Sequence, residues 1–215
     1  MKNYIEVSYK ESEKPFGEYP LKLAGHLVEK YDLKEGMTLL DNGCGRGEFL
    51  HAFSQYGLNV KGTDVSDYCK DAYIVDLNNQ KLPFEDDTFD VVFSKSVIEH
   101  IDNTENYIGE MKRVLKKDGI LIILVPDWET QYKIFYYDPT HVHPYTQKSI
   151  ERLFEMCGFR DIKVEKFVQL PSVWKNGFMR LLSNIIRKAG PVKKIYKNKF
   201  IRFSRELMVL GCARK

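Results

Sequence analysis

Three acids in this chain stand where chemistry can be done: Asp41, Asp64 and Asp76 each close a short strand-like run. Asp41 opens the segment Asp41-Asn-Gly43-Cys-Gly45-Arg-Gly47, which leads into a helical stretch. Glycines at such a place let the backbone turn tightly and approach a ligand with no Cβ in the way. A dinucleotide loop needs G-x-G-x-x-G, but here the spacing is G-x-G-x-G and position 48 is Glu. A pyrophosphate at the start of the following helix would meet Glu48 in its first turn. NAD is therefore disfavoured, and a zwitterionic or cationic ligand is better served.

A second group lies downstream, between Trp128 and Tyr145, in a stretch dense in aromatics that also holds Asp138, His141 and His143. Imidazole titrates near working pH, so His141 and His143 are each candidates for a general base. Either can instead serve only to fix the loop by hydrogen bonding. Asp138, His141 and His143 also have the composition of a metal site, but only three ligands are visible and no metal is expected. The four cysteines, Cys44, Cys69, Cys157 and Cys212, show no paired spacing, which argues against a zinc site and a disulfide scaffold. Nothing near Cys44 marks it as a nucleophile.

The elements that position these residues alternate. Helical spacing runs over 20–31, with Pro20 in the first turn, and a strand over Met37–Asp41 leads into the glycines. Glu48–Tyr56 reads as helix, and Leu58–Asp64, Asp71–Asp76 and Thr88–Phe93 read as strands. A helix is predicted over 103–117, capped by Asp102 with Glu105 and ended by Gly119. Gly119–Val125 is wholly apolar after its glycine, as in a strand buried on both faces. Thr146 caps a helix carrying Ile150, Leu153, Phe154 and Cys157, and Gly158 stops it; 159–169 and 205–213 read as closing strands. Such alternation predicts a doubly wound α/β sheet, with ligands at the carboxyl ends of its strands, here marked by Asp41, Asp64, Asp76 and Ser94.

Composition sets the bounds. With 215 residues, 43% apolar and 29% charged, the chain suits one folded domain and excludes wholesale disorder. The longest apolar run, Ile120–Val125, is too short to cross a bilayer, and Met1–Lys14 has no apolar core of a secretory signal. A soluble protein of a reducing cytoplasm is expected. The net charge of +3 hides an asymmetry: residues 175–215 carry twelve Lys and Arg against one acid, Glu206. The rest of the chain is acidic, so the basic piece points to an anionic partner.

At this point the sequence resembles the class I S-adenosylmethionine-dependent methyltransferases. The motifs that carry the resemblance are Leu39–Gly47, Gly62-Thr-Asp-Val-Ser66 and Asp76–Phe84, then Phe89–Phe93, Val97-Ile-Glu-His100 and the Gly119–Pro126 strand. Together they span 37–126 in order. The resemblance implies a Rossmann-like seven-stranded sheet, mostly parallel, with an antiparallel last strand. It implies that Asp41 and the loop backbone at Gly43, Cys44, Gly45 and Gly47 hold the amino-acid part of S-adenosylmethionine. Asp64, with Val65 beside it, would accept the ribose hydroxyls; Asp76 and Leu77 would meet the adenine; Ser94 and Lys95 would close the methionine side. Glu99 and His100 are expected to position the loop after the fourth strand.

Asp138-Pro-Thr-His-Val-His-Pro-Tyr145 resembles a subgroup linked to glycan and sugar O-methylation, which implies a hydroxyl acceptor on a sugar or lipid-linked cell-surface glycan. Another small metabolite, an RNA, or a non-catalytic partner subunit remain alternatives. The whole chain, 1–215, reads as one such domain with a basic helical insertion at about 172–204, between the last two strands. There Phe178, Leu181, Leu182, Ile185, Ile186 and Ala189 recur at helical spacing, opposite Arg180, Arg187 and Lys188, and Gly190-Pro191 ends the helix. Lys193, Lys194, Lys197, Lys199, Arg202 and Arg205 follow, interleaved with Ile195, Tyr196, Phe200, Ile201 and Phe203. The stripe can pack on the domain or a second subunit, or lie on an anionic membrane, peripheral at the inner face, through 175–205; nucleic acid is less favoured.

Overall fold

The computed structural model describes residues 16–189 and 198–215. Met1–Lys14, Gly190-Pro191, Lys193, Lys194, Ile195, Tyr196 and Lys197 lie outside the described residues. In chain order the elements begin α1 (Glu18–Tyr31), β1 (Thr38–Asn42), α2 (Glu48–Ser54), β2 (Asn59–Asp64), β3 (Ala72–Ile74) and β4 (Phe89–Lys95). A 3-10 turn (Ile98–His100) precedes α3 (Thr104–Val114), β5 (Leu115–Pro126), α4 (Trp128–Gln131) and a second 3-10 turn (Phe135–Tyr137). The order closes with α5 (Gln147–Met156), β6 (Arg160–Phe167), α6 (Pro171–Trp174), α7 (Gly177–Ala189), α8 (Lys199–Arg205) and β7 (Met208–Arg214).

The seven strands form one sheet in the order β3-β2-β1-β4-β5-β7-β6. Neighbours from β3 to β5 pair in parallel, and β7 runs antiparallel to both β5 and β6. This is the Rossmann-like sheet with an antiparallel last strand that the motifs imply. Strand order reverses at β1, which lies between β2 and β4, so a crevice opens beyond the carboxyl ends of β1 and β4.

Alternation along the strands builds two cores. Leu40, Val92, Leu121, Ile123 and Val209 pack under α3 and α5, through Ile108, Met111, Ile150 and Phe154. Leu39, Val91, Phe93, Ile122 and Leu210 pack on the other face under α1 and α2, through Leu23, Leu27, Ala52 and Phe53. The wholly apolar β5 serves both faces at once, as a strand in the middle of a covered sheet must.

The structure revises two details. Helix α3 is capped by Asn103, whose side chain accepts from the Asn106 N–H, while the Asp102 N–H donates to the Asn78 side chain. The helix also ends at Val114, because Leu115 is already extended, fully buried and paired with Phe89 in the sheet. Pairing then skips from Leu115 to Ile120, and Gly119 sits in that skip, where a Cβ would meet the carbonyls of Lys116 and Asp90. Gly119 thus permits an irregularity in the strand; it does not terminate the helix. Thr146 caps α5 as read from sequence, through a reciprocal pair with Ser149.

Helices α6 to α8 lie between β6 and β7. Val173 of α6 is buried, and Trp174 stacks on His26 of α1 at 4.6 Å between ring centroids. The stripe of α7 is different: Phe178 is 72%, Leu181 58% and Ile185 52% exposed, while Ser183 is buried.

Candidate active site

A cavity of about 970 Å³ opens at the reversal in strand order. Its floor is the end of β1. The N–H groups of Gly43 and Cys44 both donate to the Thr63 carbonyl, at 2.8 and 2.9 Å, folding the glycine loop over the end of β2. Gly43 has φ +90, and a Cβ there would run into Val97, so both backbone and space call for glycine. The Gly45 N–H donates to Asp64 Oδ2 at 2.7 Å, and the Ser66 N–H and hydroxyl donate to Oδ1 at 3.0 and 2.6 Å. The Asp64 carboxylate is thus fixed at the cavity wall.

Asp41 is 1% exposed, and its Oδ2 meets no donor in the protein. Burial pushes its carboxyl up to about 8, the Asp64 charge adds to this, and Lys95 opposes it. Desolvation in turn holds the Lys95 ammonium below its usual range, against the pull of Glu99, Glu48 and Asp41. An orphaned carboxylate oxygen at the cavity floor suits a ligand that brings a positive charge or an N–H donor.

Farther out, Val65 and Ile74 are 63% and 66% exposed on the wall, and Leu77 is buried beside them. Two exposed apolar side chains next to a fixed acid suit the faces of a planar ring. Asp76 lines this part too, its Oδ1 accepting from the Asn78 N–H at 3.0 Å and its Oδ2 from the Asn79 amide at 2.8 Å.

At the opposite end the cavity is lined by Glu99, His100, Thr140 and His141. The Glu99 carbonyl accepts from the Val142 and His143 N–H groups, at 2.8 and 3.2 Å, which pins the rim loop to the end of β4. His141 donates from Nδ1 to the Phe135 carbonyl at 2.7 Å, since a carbonyl can only accept; its Nε2 lies 3.9 Å from Asp138 Oδ2. His100 donates from Nδ1 to the Thr140 hydroxyl (2.9 Å) and carbonyl (3.2 Å), and that hydroxyl donates to Asp138 Oδ1 at 2.7 Å. Burial lowers the His100 pKa, and burial raises the Glu99 carboxyl to about 8. Trp128, Phe135 and Tyr136 form an edge-to-face cluster with centroids 5.1 to 5.8 Å apart, and Tyr136 and Tyr137 are exposed beside it.

Of the residues singled out in the sequence, the cavity gathers Asp41, Gly43, Cys44, Gly45, Asp64, Val65, Asp76, Leu77, Lys95 and His141. Three stand apart from its wall. Gly47 makes the left-handed turn into α2, at φ +80. The Ser94 hydroxyl bonds Tyr107 in the core at 2.8 Å. His143 points its Nε2 at the Asp102 carbonyl, 3.2 Å away, so Asp138, His141 and His143 do not gather round one point. Ile74, Glu99 and His100 are wall residues that sequence reasoning did not assign to the site. The two-residue period from Asp76 back to Ile74 was a signal for the first; for the others only the fold brings the rim loop alongside.

A fixed acid, an apolar slot and an unmatched buried carboxylate fit the ribose, adenine and cationic amino-acid parts of S-adenosylmethionine. The sheet and the site thus fit a nucleoside-binding protein of the doubly wound kind. Comparison with known proteins agrees. A family model described as a methyltransferase domain matches residues 16–164. An uncharacterised protein of Methanocaldococcus jannaschii is 31% identical over 180 residues, covering 80% of this chain and 79% of that protein. The sterol 4-C-methyltransferase strm-1 of Caenorhabditis elegans is 29% identical over 161 residues, 67% of this chain, and the chain spans 45% of that enzyme's length. Among solved structures, a SAM-dependent methyltransferase from Archaeoglobus fulgidus superposes with a TM-score of 0.69 at 21% identity, over 99% of this chain and 100% of that one. This chain belongs to the methyltransferase-domain family.

Proposed function

We propose that this chain O-methylates a hydroxyl of a sugar or lipid-linked glycan, with His141 at the reacting end of the cavity. The observation that carries the reading is the fixed tautomer of His141, a residue that lines the cavity: Nδ1–H is committed to the Phe135 carbonyl, which leaves Nε2 as the nitrogen able to accept a proton. When bound, S-adenosylmethionine would supply an activated sulfonium methyl for transfer to the acceptor oxygen. Asp41, Asp64, Val65, Asp76, Leu77 and Lys95 hold that donor, with the backbone of Gly43, Cys44 and Gly45. Alignment of acceptor and methyl supplies most of the rate. What a hydroxyl needs in addition is a proton acceptor, and His141 takes that proton while Asp138 steadies the imidazolium. The exposed Tyr136 and Tyr137 offer flat faces for a sugar ring at the rim.

The exposed stripe of α7 supports a second element of this reading: contact with an anionic membrane surface, where a lipid-linked acceptor resides. Phe178, Leu181 and Ile185 present the apolar side, with Arg180, Arg187 and Lys188 available to lipid phosphates. The kinship with a sterol methyltransferase is in keeping with a lipidic acceptor. In this reading 1–215 is a single catalytic unit, and 172–204 is its addition for the surface.

Two experiments test the reading. Methyl transfer from labelled S-adenosylmethionine is assayed against a panel of free and lipid-linked glycans, with an amine and an RNA alongside. Methylation of an amine or RNA while every hydroxyl acceptor stays unlabelled sinks the O-methylation reading. Sedimentation with anionic and neutral liposomes tests the surface: binding to anionic vesicles, lost in Phe178→Asp/Leu181→Asp, supports it, and no binding to either vesicle removes it.

A further inference from the structure

The inner end of the cavity gathers three side chains of metal-ligating type. One oxygen or nitrogen from each of Glu99, His100 and His141 lies within 4.8 Å of the other two, the one such group among the described residues. Two come from the turn after β4, and the third lies on the rim loop, 41 residues after His100. Two further observations point to a ligand between them.

First, Glu99 is 1% exposed, and its Oε2 has no hydrogen-bond partner. A carboxyl oxygen taken out of water with nothing to bond carries a large cost unless something else meets it. Second, both imidazoles are fixed at Nδ1, His141 by the Phe135 carbonyl at 2.7 Å and His100 by Thr140, itself tied to Asp138. Metal-binding histidines are oriented in this way, through the ring nitrogen opposite the metal. Ligand atoms about 2.0–2.2 Å from one ion stand roughly 3–3.6 Å from each other, so side-chain rotation of about 1 Å closes the group on an ion.

We propose that Glu99, His100 and His141 bind one divalent transition cation of the manganese, iron or zinc class. One carboxylate oxygen and two imidazole nitrogens are a donor set for those ions, whereas magnesium and calcium prefer oxygen throughout. Three protein ligands leave positions open toward the cavity. For what the ion does, though not for its binding, the inference rests on the hydroxyl-acceptor reading. With the ion bound, an acceptor hydroxyl on it would be more acidic and would lose its proton to solvent water; His141 is the proton acceptor only while the cation site is empty.

The test uses the full chain, stripped with EDTA and free of cofactor, titrated with Mn2+ while the electron spin resonance of free Mn2+ is followed. Binding of one equivalent is expected, weakened at least about tenfold in Glu99→Gln and in His141→Ala, with melting curves showing that both variants fold. Pulsed spectra of the bound ion are expected to show imidazole nitrogen couplings, a readout that needs no variant. Absence of Mn2+ binding up to millimolar concentration, no nitrogen coupling, or wild-type affinity in both folded variants overturns the site. The two readings fail separately. Mn2+ bound as described while no hydroxyl is methylated leaves the cation site standing and removes the acceptor reading. A glycan methylated at full rate in EDTA, by protein that does not take up Mn2+, does the reverse.

Discussion

At the end of the cavity lined by Asp41, Asp64 and Asp76, contacts run within a strand end or between the adjacent strands β1 and β2. Gly45 and Ser66 hold Asp64, Asn78 and Asn79 hold Asp76, and the glycine loop bonds the adjacent strand. At the acceptor end they run across the chain. Glu99 holds Val142 and His143, Thr140 holds His100, and the orientation of His141 depends on the rim loop folding back to Phe135. The first end is built from strand termini and glycines, which a short sequence window specifies. The second exists only once β4 and β5 lie side by side, because that pairing sets the two loops facing each other. A local site tolerates change elsewhere in the molecule; an assembled one depends on every contact that holds its loops.

Substitutions at the two ends should therefore separate binding of donor from turnover. The largest effect is expected for His141→Ala, a fall in kcat of about 10²–10⁴-fold with the calorimetric affinity for S-adenosylmethionine unchanged. Loss of donor affinity in that variant would break the division between the ends. Next comes Asp64→Ala, which removes a carboxylate suited to two ribose hydroxyls. Affinity for S-adenosylmethionine and S-adenosylhomocysteine should drop about 100-fold, as expected for two charge-assisted hydrogen bonds. Near-normal binding would place the donor elsewhere.

Smaller is Gly43→Ala, where a left-handed backbone and the Val97 side chain both resist a Cβ. Denaturant titration is expected to show a loss of about 1–3 kcal/mol. An unchanged midpoint would mean that the loop relaxes freely. A further effect, of similar size, concerns pH. The Asp41 carboxyl is held at about 8 against an ordinary 3.8, so the folded chain keeps a proton that the unfolded chain releases. This group's contribution to stability is whole below about pH 4 and is lost as pH rises through 8. The melting temperature of the cofactor-free chain should fall between pH 6 and 9, and Asp41→Asn should flatten that fall. An identical slope in the variant would show that groups other than Asp41 set the dependence.

The donor end was legible to an unusual degree. The run Asp41–Gly47 and the acids at 64 and 76 identify strand ends by type and spacing, and the structure places them round one cavity. Ser94 shows the limit of that logic: it closes no wall, because the alternation along β4 turns its hydroxyl to Tyr107 in the core. The cap of α3 was misplaced by one residue, since Asp102 and Asn103 are both good caps and only the bond that the Asn103 side chain accepts from the Asn106 N–H decides between them. At the acceptor end the sequence supplied candidates without a choice. His141 and His143 are two residues apart and equal as bases, yet one reaches the cavity and the other a carbonyl at its edge.

The stripe on α7 makes the same point at the surface. Its period is plain in the sequence, which left packing on the domain, on a second subunit or on a membrane open, and on the single chain Phe178, Leu181 and Ile185 face outward. Periodicity fixes which side chains share a helix face, since that follows from 3.6 residues per turn. It carries no information on what that face meets. By itself, then, the sequence determined the sheet, the donor loop and the acids at the strand ends, all set by local backbone geometry and short-range alternation. Only the tertiary structure decided which histidine lines the cavity, that Glu99 and His100 join it, and that the α7 stripe is exposed. The first two of these depend on contacts between residues some 40 positions apart, and such contacts form only when the strands have closed into one sheet.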